Sequence, residues 1–381
     1  MKKKILVTTG TRADYGILRP LLTEINKNKK FDLFLIVCGM HLSKKHGMTI
    51  NEIKKDGFKI YSKIEIMPRG NDGFFMAESL GRGIVEFSKV IKKLKPDMNI
   101  ILGDRGEALA SAVAAFHMNI PNVHISGGDK TQGGIDEYIR HAITKISNIH
   151  FATTKKSMER IINMGENPKY VFNTGSLAID EISNHKITKK NELEKKYKIN
   201  FTGKEIILLQ HPITTESELS KKQILETLGA LSKIKETVIA ILPNSDAGNK
   251  EICENLILTS KNYQNFMLYP NLPREDFFGM LKNCGVLLGN SSSGIVEASY
   301  FNLPVINIGI RQKGRDKEST VFDVDFSSSA IHKLIIKCIN LQKKKSSQKF
   351  IYGKGNTAKK IIKILENIKI TKNLIQKQIT I

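Results

Sequence analysis

The stretch with the most chemically active side chains runs from residue 122 to residue 145, NVHISGGDKTQGGIDEYIRHAITK. An apolar strand pattern stops there at a glycine pair, and open α/β sheets build their sites where parallel strands end. The ionisable groups that follow are Asp129, Asp136, Glu137, Arg140 and His141. This density of carboxylates beside a histidine predicts an acid–base site. A solvated turn before a capped helix is the alternative, because Asp136 and Glu137 also suit a helix start.

Two other strand-end loops in the first half carry charged side chains. Arg12 and Asp14 lie in GTRADYG, directly after the first apolar run. A guanidinium there can grip phosphate oxygens in a bidentate way, whereas the alternative is a helix-capping Asp14 with Arg12 at the surface. Asp104 and Arg105 lie in GDRGE, where a strand leads straight into the turn. We expect Asp104 to be well buried, with Arg105 as its salt partner.

The second half of the chain has polar loops of the same kind. His211 follows a buried strand in QHP, where it is a candidate for phosphate binding or proton transfer, although a lone histidine is more often structural. Asn244 lies in PNSDAG, a short polar loop ahead of a helix.

The loop GNSSSGIVE at residues 289–297 offers the clearest anion site. Ser291, Ser292 and Gly294 place hydroxyl and backbone N–H groups at the start of a helix predicted near residues 295–301, which favours a bound phosphate. Glu297, one turn into that helix, is placed to accept hydrogen bonds from a ribose diol. Neither the Walker pattern nor G-x-G-x-x-G is present, so a nucleotide-sugar is favoured over ATP or NAD.

The elements that position these loops alternate between strand and helix along almost the whole chain, which is the pattern of parallel sheets covered on both faces. The predicted fold is α/β, with two facing Rossmann-like domains and the active site in the cleft between them. We place the first domain at 1–183 and the second at 201–350, because residues 184–200 are charged and lack a buried face. The last segment, 351–381, is expected to form a helix that packs back on the first domain.

Composition narrows the function classes. The 381 residues carry a net charge of +23, but the lysines are spread over helix surfaces without interleaved aromatics, which disfavours a nucleic-acid partner. The four cysteines show no metal-site spacing and are expected to be reduced packing residues. No apolar run approaches the roughly 20 residues that span a bilayer, so we expect no membrane partner and a cytoplasmic location.

Taken together, GTRADYG, GDRGE, HISGGD, GIDEYIRHAITK, QHP, NSDAG, GNSSSG with Glu297, and RQKGR resemble the hydrolysing UDP-N-acetylglucosamine 2-epimerases of sialic-acid and nonulosonate synthesis. The resemblance covers residues 4–360 with the motifs in order. It implies the two-domain GT-B fold shared with many glycosyltransferases, UDP bound mainly by the C-terminal domain, and no cofactor or metal. The implied reaction converts UDP-N-acetylglucosamine and water into N-acetylmannosamine and UDP.

The resemblance also implies roles for particular residues. The implied catalytic residues are Asp104, Asp129, Asp136 and His211. The implied substrate-binding residues are Arg12, Asp14, Arg105, Glu137, Arg140, His141, Asn244, Ser291, Ser292, Gly294, Glu297, Arg311 and Arg315. Some relatives have glutamate where this chain has Ser126 and Asp129. Because an aspartate reaches about 1.5 Å less far than a glutamate, the assignment of base and acid stays open.

Several alternatives remain within this interpretation. The same reaction on UDP-N,N'-diacetylbacillosamine differs only at C4 and C6 of the sugar. A glycosyltransferase would pass the sugar to an acceptor, a non-hydrolysing epimerase would keep UDP in the product, and a nucleotide-sugar sensor would bind without turnover. Exposed apolar helix faces in the first domain favour a homodimer or homotetramer.

Overall fold

The chain forms two compact units. The computed structural model describes residues 2–44, 47–70, 73–131, 135–184, 186–243, 246, 248–341 and 350–380. The first unit consists of residues 1–129, 135–183 and 352–381, and the second of residues 130–134 and 184–351. None of the helices in these ranges combines the length and the hydropathy that a membrane span requires.

The first unit is built on a parallel sheet of seven strands. They are β1 (Lys3–Thr9), β2 (Phe31–Cys38), β3 (Ile60–Ile64), β4 (Met98–Leu102), β5 (Asn122–Ile125), β6 (Ile149–Ala152) and β7 (Val171–Asn173). Their order across the sheet is β3-β2-β1-β4-β5-β6-β7. Since β1 has β2 on one side and β4 on the other, the direction of winding reverses between β1 and β4, and ligands of open α/β sheets bind at such a switch point.

Helices cover both faces of this sheet. They are α1 (Arg12–Lys27), α2 (Ile50–Lys55), α3 (Gly73–Leu94), α4 (Gly106–His117), α5 (Asp136–Lys145), α6 (Lys155–Asn163) and α7 (Leu177–Asn184). Four apolar residues on one face of α1, Leu18, Leu21, Leu22 and Ile25, are fully buried against the sheet. Each such burial contributes roughly 1.5–3 kcal/mol. Helices α3 and α4 pack on the opposite face.

The second unit repeats this architecture with six parallel strands. They are β8 (Ile206–Leu209), β9 (Val238–Ile241), β10 (Phe266–Tyr269), β11 (Val286–Gly289), β12 (Val305–Ile308) and β13 (Val321–Val324), and their order is β10-β9-β8-β11-β12-β13. The helices are α8 (Lys190–Tyr197), α9 (Ser220–Leu231), α10 (Asn249–Asn262), α11 (Arg274–Asn283), α12 (Ser292–Ile295), α13 (Glu297–Tyr300) and α14 (Ser328–Ile339). The switch point of this sheet lies between β8 and β11. The predicted α/β class is confirmed.

Helices α15 (Thr357–Asn367) and α16 (Lys372–Ile375) return the chain to the first unit. The carboxylate of Asp180 accepts the backbone N–H groups of Thr357 and Ala358, at 2.8 and 2.7 Å, and so satisfies the first turn of α15. Burial raises the pKa of Asp180. At the other end of α15, the ammonium of Lys3 lies 3.0 Å from the carbonyl of Leu365, where a cation complements the helix dipole.

A buried ionic cluster around Glu166 anchors the last residues. The Glu166 side chain is 2% exposed and accepts hydrogen bonds from Lys145 at 2.6 Å, from Lys377, and from His150 at 3.2 Å. Burial alone would raise the pKa of this carboxyl, but the three hydrogen bonds outweigh it and lower the pKa from 4.5 to about 2. Glu166 is therefore ionised at neutral pH.

We expect Glu166→Gln to lower the free energy of unfolding by about 3 kcal/mol at pH 7, because the partner cations lose a buried counter-charge. Since the folded pKa is depressed, the contribution of Glu166 is complete above pH 4.5 and declines as pH falls toward 2. Denaturant unfolding of both proteins between pH 7 and 3 measures the difference. Glu159→Gln, on the preceding helix α6 in an exposed pair with Lys155, is the matched control and should change stability by less than about 0.5 kcal/mol. Equal losses for the two variants would contradict the cluster's role.

Candidate active site

The first group of site residues gathers at the carboxyl ends of β4 and β5. The guanidinium of Arg140 is 2% exposed and pairs with the carboxylate of Asp104, which follows β4. The same guanidinium donates to Glu137 Oε2 at 2.7 Å and to the backbone carbonyl of Asp129 at 3.0 Å. Burial opposes the charge of Arg140, but the carboxylates, Asp104 foremost, outweigh it and raise its pKa. Arg140 is thus a permanent cation between two carboxylates.

His141 extends this group. Its Nε2 lies 3.0 Å from Glu137 Oε1, so the Glu137 carboxylate bridges Arg140 and the imidazole. The Nδ1 atom of His141 is buried and has no hydrogen-bond partner among the described residues. Asp136 opens helix α5 and is exposed. Asp104, Glu137, Arg140 and His141 therefore form one contiguous acid–base group, which we call the carboxylate cluster.

The side chain of Asp129 turns toward the next strand. Its Oδ1 accepts hydrogen bonds from Thr153 at 2.5 Å and Ser157 at 2.8 Å, at the start of α6. The chain reaches this position through Gly128, whose φ is +71° and at which a Cβ would lie 2.3 Å from the carbonyl of Ser157. Only glycine fits this turn. The backbone of Asp129, through its carbonyl, is what contacts Arg140.

The loop after β1 is organised around Asp14. The Asp14 carboxylate accepts the N–H groups of Gly10 and Thr11, at 2.9 and 2.8 Å, while the Thr11 hydroxyl accepts the N–H of Asp14. This reciprocal pair is a capping box that starts α1. Arg12 is half exposed and pairs with Glu52 at 3.1 Å. The observed geometry is that of the alternative considered from sequence, a capping Asp14 beside a surface Arg12.

Arg105 is not the salt partner expected for Asp104. Its Nε lies 3.4 Å from Glu107 Oε2, two residues along the chain. Asp104 instead pairs with Arg140, and its side chain is 26% exposed, more than the sequence suggested. The reason is topological, because α5 packs beside α4 and brings Arg140 against the end of β4.

In the second unit, Asn290 connects the two loops that flank the switch point. Its side-chain Oδ1 accepts the backbone N–H of His211 at 2.7 Å, and its Nδ2 donates to the His211 carbonyl at 2.9 Å. The carbonyl of Asn290 accepts from Arg311 at 3.2 Å and from Gln312 at 3.0 Å. Asn290 is fully buried. The loops after β8, β11 and β12 are therefore fixed to one another at this residue.

The basic segment after β12 adds two predicted site residues. Arg311 lies 3.9 Å from Asp246 in a long ion pair. Arg315 has a buried Nε without a hydrogen-bond partner in the described part of the chain. Asn244, predicted from the same loop as Asp246, lies outside the described residues.

The serine-rich loop does not lead into a single helix. Ser291 caps α12 and accepts the N–H of Ser293 at 3.3 Å, but α12 ends at Ile295 and α13 begins at Glu297. Ser292 is the first residue of α12. A Cβ at Gly294 would lie 3.0 Å from a methyl group of Val305, so glycine here allows α12 to approach the sheet closely. The predicted helix at 295–301 is therefore wrong in its bounds, because the chain bends at Val296.

Glu297 is held by a cation and keeps one oxygen without a partner. Its Oε1 accepts from Arg274 at 2.9 Å, and the Arg274 guanidinium stacks 4.9 Å from the centre of the Phe278 ring. Its Oε2 is buried and has no hydrogen-bond partner within the described ranges. A buried carboxylate oxygen without a donor is costly unless a ligand supplies one, and a diol is such a ligand.

Three residues of these sites were not singled out from sequence. Asn290 and Gln312 lie inside motifs that were noticed, but their role is to join loops that are distant in the chain. Arg274 stands at the start of α11 with no motif around it. Among the described residues, no group of three or more His, Cys, Asp or Glu is arranged to hold a metal ion. The first unit thus offers proton-transfer groups, and the second offers donors for an anion and an acceptor for hydroxyls.

Comparison with solved structures identifies the class of fold, and comparison with protein families identifies the family. The crystal structure of UDP-GlcNAc 2-epimerase from Neisseria meningitidis bound to UDP-GlcNAc superposes with a TM-score of 0.83, covering 96% of this chain and 100% of that chain at 22% identity. This likeness places the two Rossmann-like units in the GT-B class of folds. The family model described as UDP-N-acetylglucosamine 2-epimerase matches residues 23–366, and the chain belongs to that family.

Two relatives share more of the sequence. The UDP-N,N'-diacetylbacillosamine 2-epimerase (hydrolyzing) of Legionella pneumophila is 37% identical over 377 residues, which is 99% of both chains. The GDP/UDP-N,N'-diacetylbacillosamine 2-epimerase (hydrolyzing) of Campylobacter jejuni is 37% identical over 329 residues, covering 86% of this chain and 85% of that protein. The resemblance stated from the motifs is thereby confirmed.

Proposed function

We propose that this protein is a hydrolysing 2-epimerase that converts a UDP-linked 2-acetamido sugar and water into UDP and the free C2 epimer of the sugar. With UDP-N-acetylglucosamine the product is N-acetylmannosamine, a precursor for sialic-acid-type sugars. The observation that carries the proposal is the carboxylate cluster at the carboxyl ends of β4 and β5, beside the switch point of the first sheet, in a member of this family. No cofactor is needed, because the reaction is an elimination followed by a hydration.

The second unit binds UDP in this proposal. The diphosphate contacts His211, Ser291 and Ser292, and the ribose hydroxyls donate to Glu297. Arg311 and Arg315 add positive charge near the leaving group. This charge stabilises the negative charge that develops on the diphosphate oxygen as the C1–O bond breaks. The buried oxygen of Glu297 that has no protein donor supports the ribose contact.

The first unit acts on the sugar of the same substrate molecule. The C2 hydrogen is not acidic, since no carbonyl adjoins it, and it leaves only as the C1–O bond to UDP breaks. A carboxylate takes the proton, the C2–H electron pair becomes the C1–C2 double bond, and the C1–O pair leaves with UDP. Asp104 is the proposed base, and its ion pair with the buried guanidinium of Arg140 holds the carboxylate in place.

Hydration of the resulting glycal completes the reaction. Water attacks C1, a second group takes a proton from that water, and an acid returns a proton to C2 from the face opposite to the one that lost it. Glu137 and His141 share a hydrogen bond and are the proposed partners for this step, with Asp129 and Asp136 as the other candidate acids. Protonation from the opposite face inverts C2.

A second candidate substrate is UDP-N,N'-diacetylbacillosamine. The observation that favours it is the name carried by both 37% identical relatives. It has the same C1 and C2 groups, so the same cluster performs the same steps. The difference lies in the contacts made to C4 and C6.

Incubation of the purified protein with each UDP-sugar, without an acceptor, tests this function. We expect release of equimolar UDP and a free manno-configured sugar from one of the two substrates, measured by enzymatic UDP assay and by NMR of the sugar. A glycosyltransferase would transfer sugar only when an acceptor is added, a non-hydrolysing epimerase would keep the product on UDP, and a sensor would show no turnover. Each of these outcomes would contradict hydrolysis.

We also propose that the protein acts as a homodimer or homotetramer. Exposed apolar side chains on α3 and α4 support this, namely Phe74, Met76, Val85 and Phe116, which are 51–72% exposed. Patches of this kind on a soluble enzyme commonly mark an interface.

A further inference from the structure

His124 is a fully buried histidine behind the carboxylate cluster. It lies on β5, and its ring contacts two elements that carry cluster residues. The Nε2 atom lies 2.8 Å from the carbonyl oxygen of Gly103, the residue before Asp104. The Nδ1 atom lies 3.1 Å from the hydroxyl of Thr144, one helical turn after Arg140 on α5. The His124 side chain thus contacts the residue that precedes Asp104 and the helix that carries Arg140.

The partners of the ring determine where its proton is. A carbonyl oxygen only accepts, so Nε2 carries the hydrogen and donates it to Gly103. Burial lowers the pKa of His124 to about 3, and the imidazole is therefore neutral. Nδ1 is then an acceptor. The Thr144 hydroxyl lies 3.1 Å from Nδ1 and 2.9 Å from the carbonyl of Arg140, so its one hydrogen serves these two acceptors. The carbonyl of Gly103 thus sets the tautomer of His124.

The backbone of Gly103 makes two hydrogen bonds to β5. Its φ is +71°, its N–H donates to the carbonyl of Ile125 on β5 at 3.0 Å, and its carbonyl accepts from His124. Both backbone polar groups of Gly103 are thus held by β5. Because Asp104 is the next residue, the orientation of the Gly103 peptide determines where the Asp104 carboxylate points.

We propose that His124 is a positioning residue that holds Asp104 against Arg140 through the Gly103 carbonyl and the Thr144 hydroxyl. The inference rests on the proposed function, because it assigns Asp104 to proton transfer. His124 itself does not touch the sugar. A displacement of Asp104 by about 1 Å would slow proton transfer by up to roughly 100-fold without changing how UDP is bound.

Three substitutions at position 124 separate this role from simple packing. His124→Gln places an amide N–H near the original Nε2 and keeps the donor to Gly103. His124→Asn reaches only the Nδ1 position, and His124→Leu fills the volume without either hydrogen bond. We expect kcat to be roughly 10- to 100-fold lower in the Asn and Leu variants, while their affinity for UDP stays unchanged. In the Gln variant, which keeps the donor to Gly103, kcat should return most of the way to the wild-type value. His117→Leu, at an exposed position at the end of α4, is the matched control and should keep wild-type kcat.

Two further readouts show whether the loss acts through Asp104. With substrate deuterated at C2, the isotope effect on kcat should rise in His124→Leu, because proton abstraction becomes slower. In an Asp104→Asn background, His124→Leu should have little additional effect. A full additional loss in that background, or equal kcat for the Leu, Gln and wild-type proteins, would overturn the proposal.

Thr144→Val provides an independent test should His124→Leu not fold. It removes the hydroxyl at nearly constant volume, and we expect a fall in kcat that Thr144→Ser does not show. Wild-type kcat in Thr144→Val would overturn the proposal. An inactive wild-type protein would refute the proposed function, whereas an active one with insensitive variants would refute only the role of His124.

Discussion

Asp104→Asn should reduce kcat for sugar release by roughly 1,000-fold, because the amide cannot take the C2 proton. The substitution preserves the shape of the side chain and leaves Arg140 paired with Glu137. UDP affinity, measured by isothermal titration calorimetry, should change by less than about twofold, since the proposed UDP contacts all belong to the second unit.

Asp32→Asn is the matched control for this prediction. Asp32 forms an exposed ion pair with Lys2 on the surface of the first unit, and its substitution should leave kcat unchanged. An Asp104→Asn protein that keeps kcat within tenfold of wild type would exclude Asp104 as the base. Glu137 would then be the first residue to test in its place.

Glu297→Met should weaken UDP binding by roughly 30-fold, the expected loss for two hydroxyls that donate to a carboxylate. The diagnostic ligand is 2′,3′-dideoxyuridine diphosphate, which lacks both hydroxyls. We expect wild type to prefer UDP over this analogue by about the same factor and Glu297→Met to bind the two equally. Calorimetry of both ligands measures this without reference to turnover.

Arg274 provides a second variant for the same site. Because it fixes Oε1 of Glu297, Arg274→Met should also reduce the preference for UDP, but it should add little in the Glu297→Met background. Glu254→Met, at an exposed pair on α10, is the control and should bind UDP as wild type does. A Glu297→Met protein that still discriminates between UDP and its dideoxy analogue would refute the ribose contact.

The strands and the loops that follow them could be predicted from sequence because they are local features. Apolar runs such as Ile5–Thr9 and Val305–Ile308 are bounded by glycine or polar residues, and they form β1 and β12. The motif loops consequently fall at strand ends, and those after β1, β4, β8 and β11 flank the two switch points. The alternation of strands with helices predicts parallel sheets. The fold class could therefore be predicted without knowing any contact between residues that are distant in the chain.

What the sequence could not provide were pairings across long separations. Asp104 was matched with its neighbour Arg105, whereas its partner is Arg140 on a different helix. Asn290 joins loops whose spacing carries no signal of a contact. His124 lies in a short strand, and nothing in the sequence around it indicates a role. The structure shows that its ring contacts the carbonyl of Gly103 and the hydroxyl of Thr144, both distant in the chain.

Local hydrogen bonds add detail that the sequence left open. Asp14 is a predicted substrate-binding residue, and its carboxylate accepts hydrogen bonds from four donors in its own turn. The helix expected at 295–301 is divided because the chain bends at Val296, and this places Glu297 at the start of a new helix. Helix α3 begins at Gly73, and its first turns expose Phe74 and Met76.

The most direct test of the central claim is the fate of the C2 hydrogen when the wild-type protein turns over its UDP-sugar in deuterium oxide. We predict a free manno-configured sugar with one deuterium at C2, seen in proton NMR as loss of the C2 signal and simplification of the C1 signal, together with stoichiometric UDP. Free sugar that retains protium at C2, or a C2-deuterated sugar still attached to UDP, would contradict elimination followed by hydration.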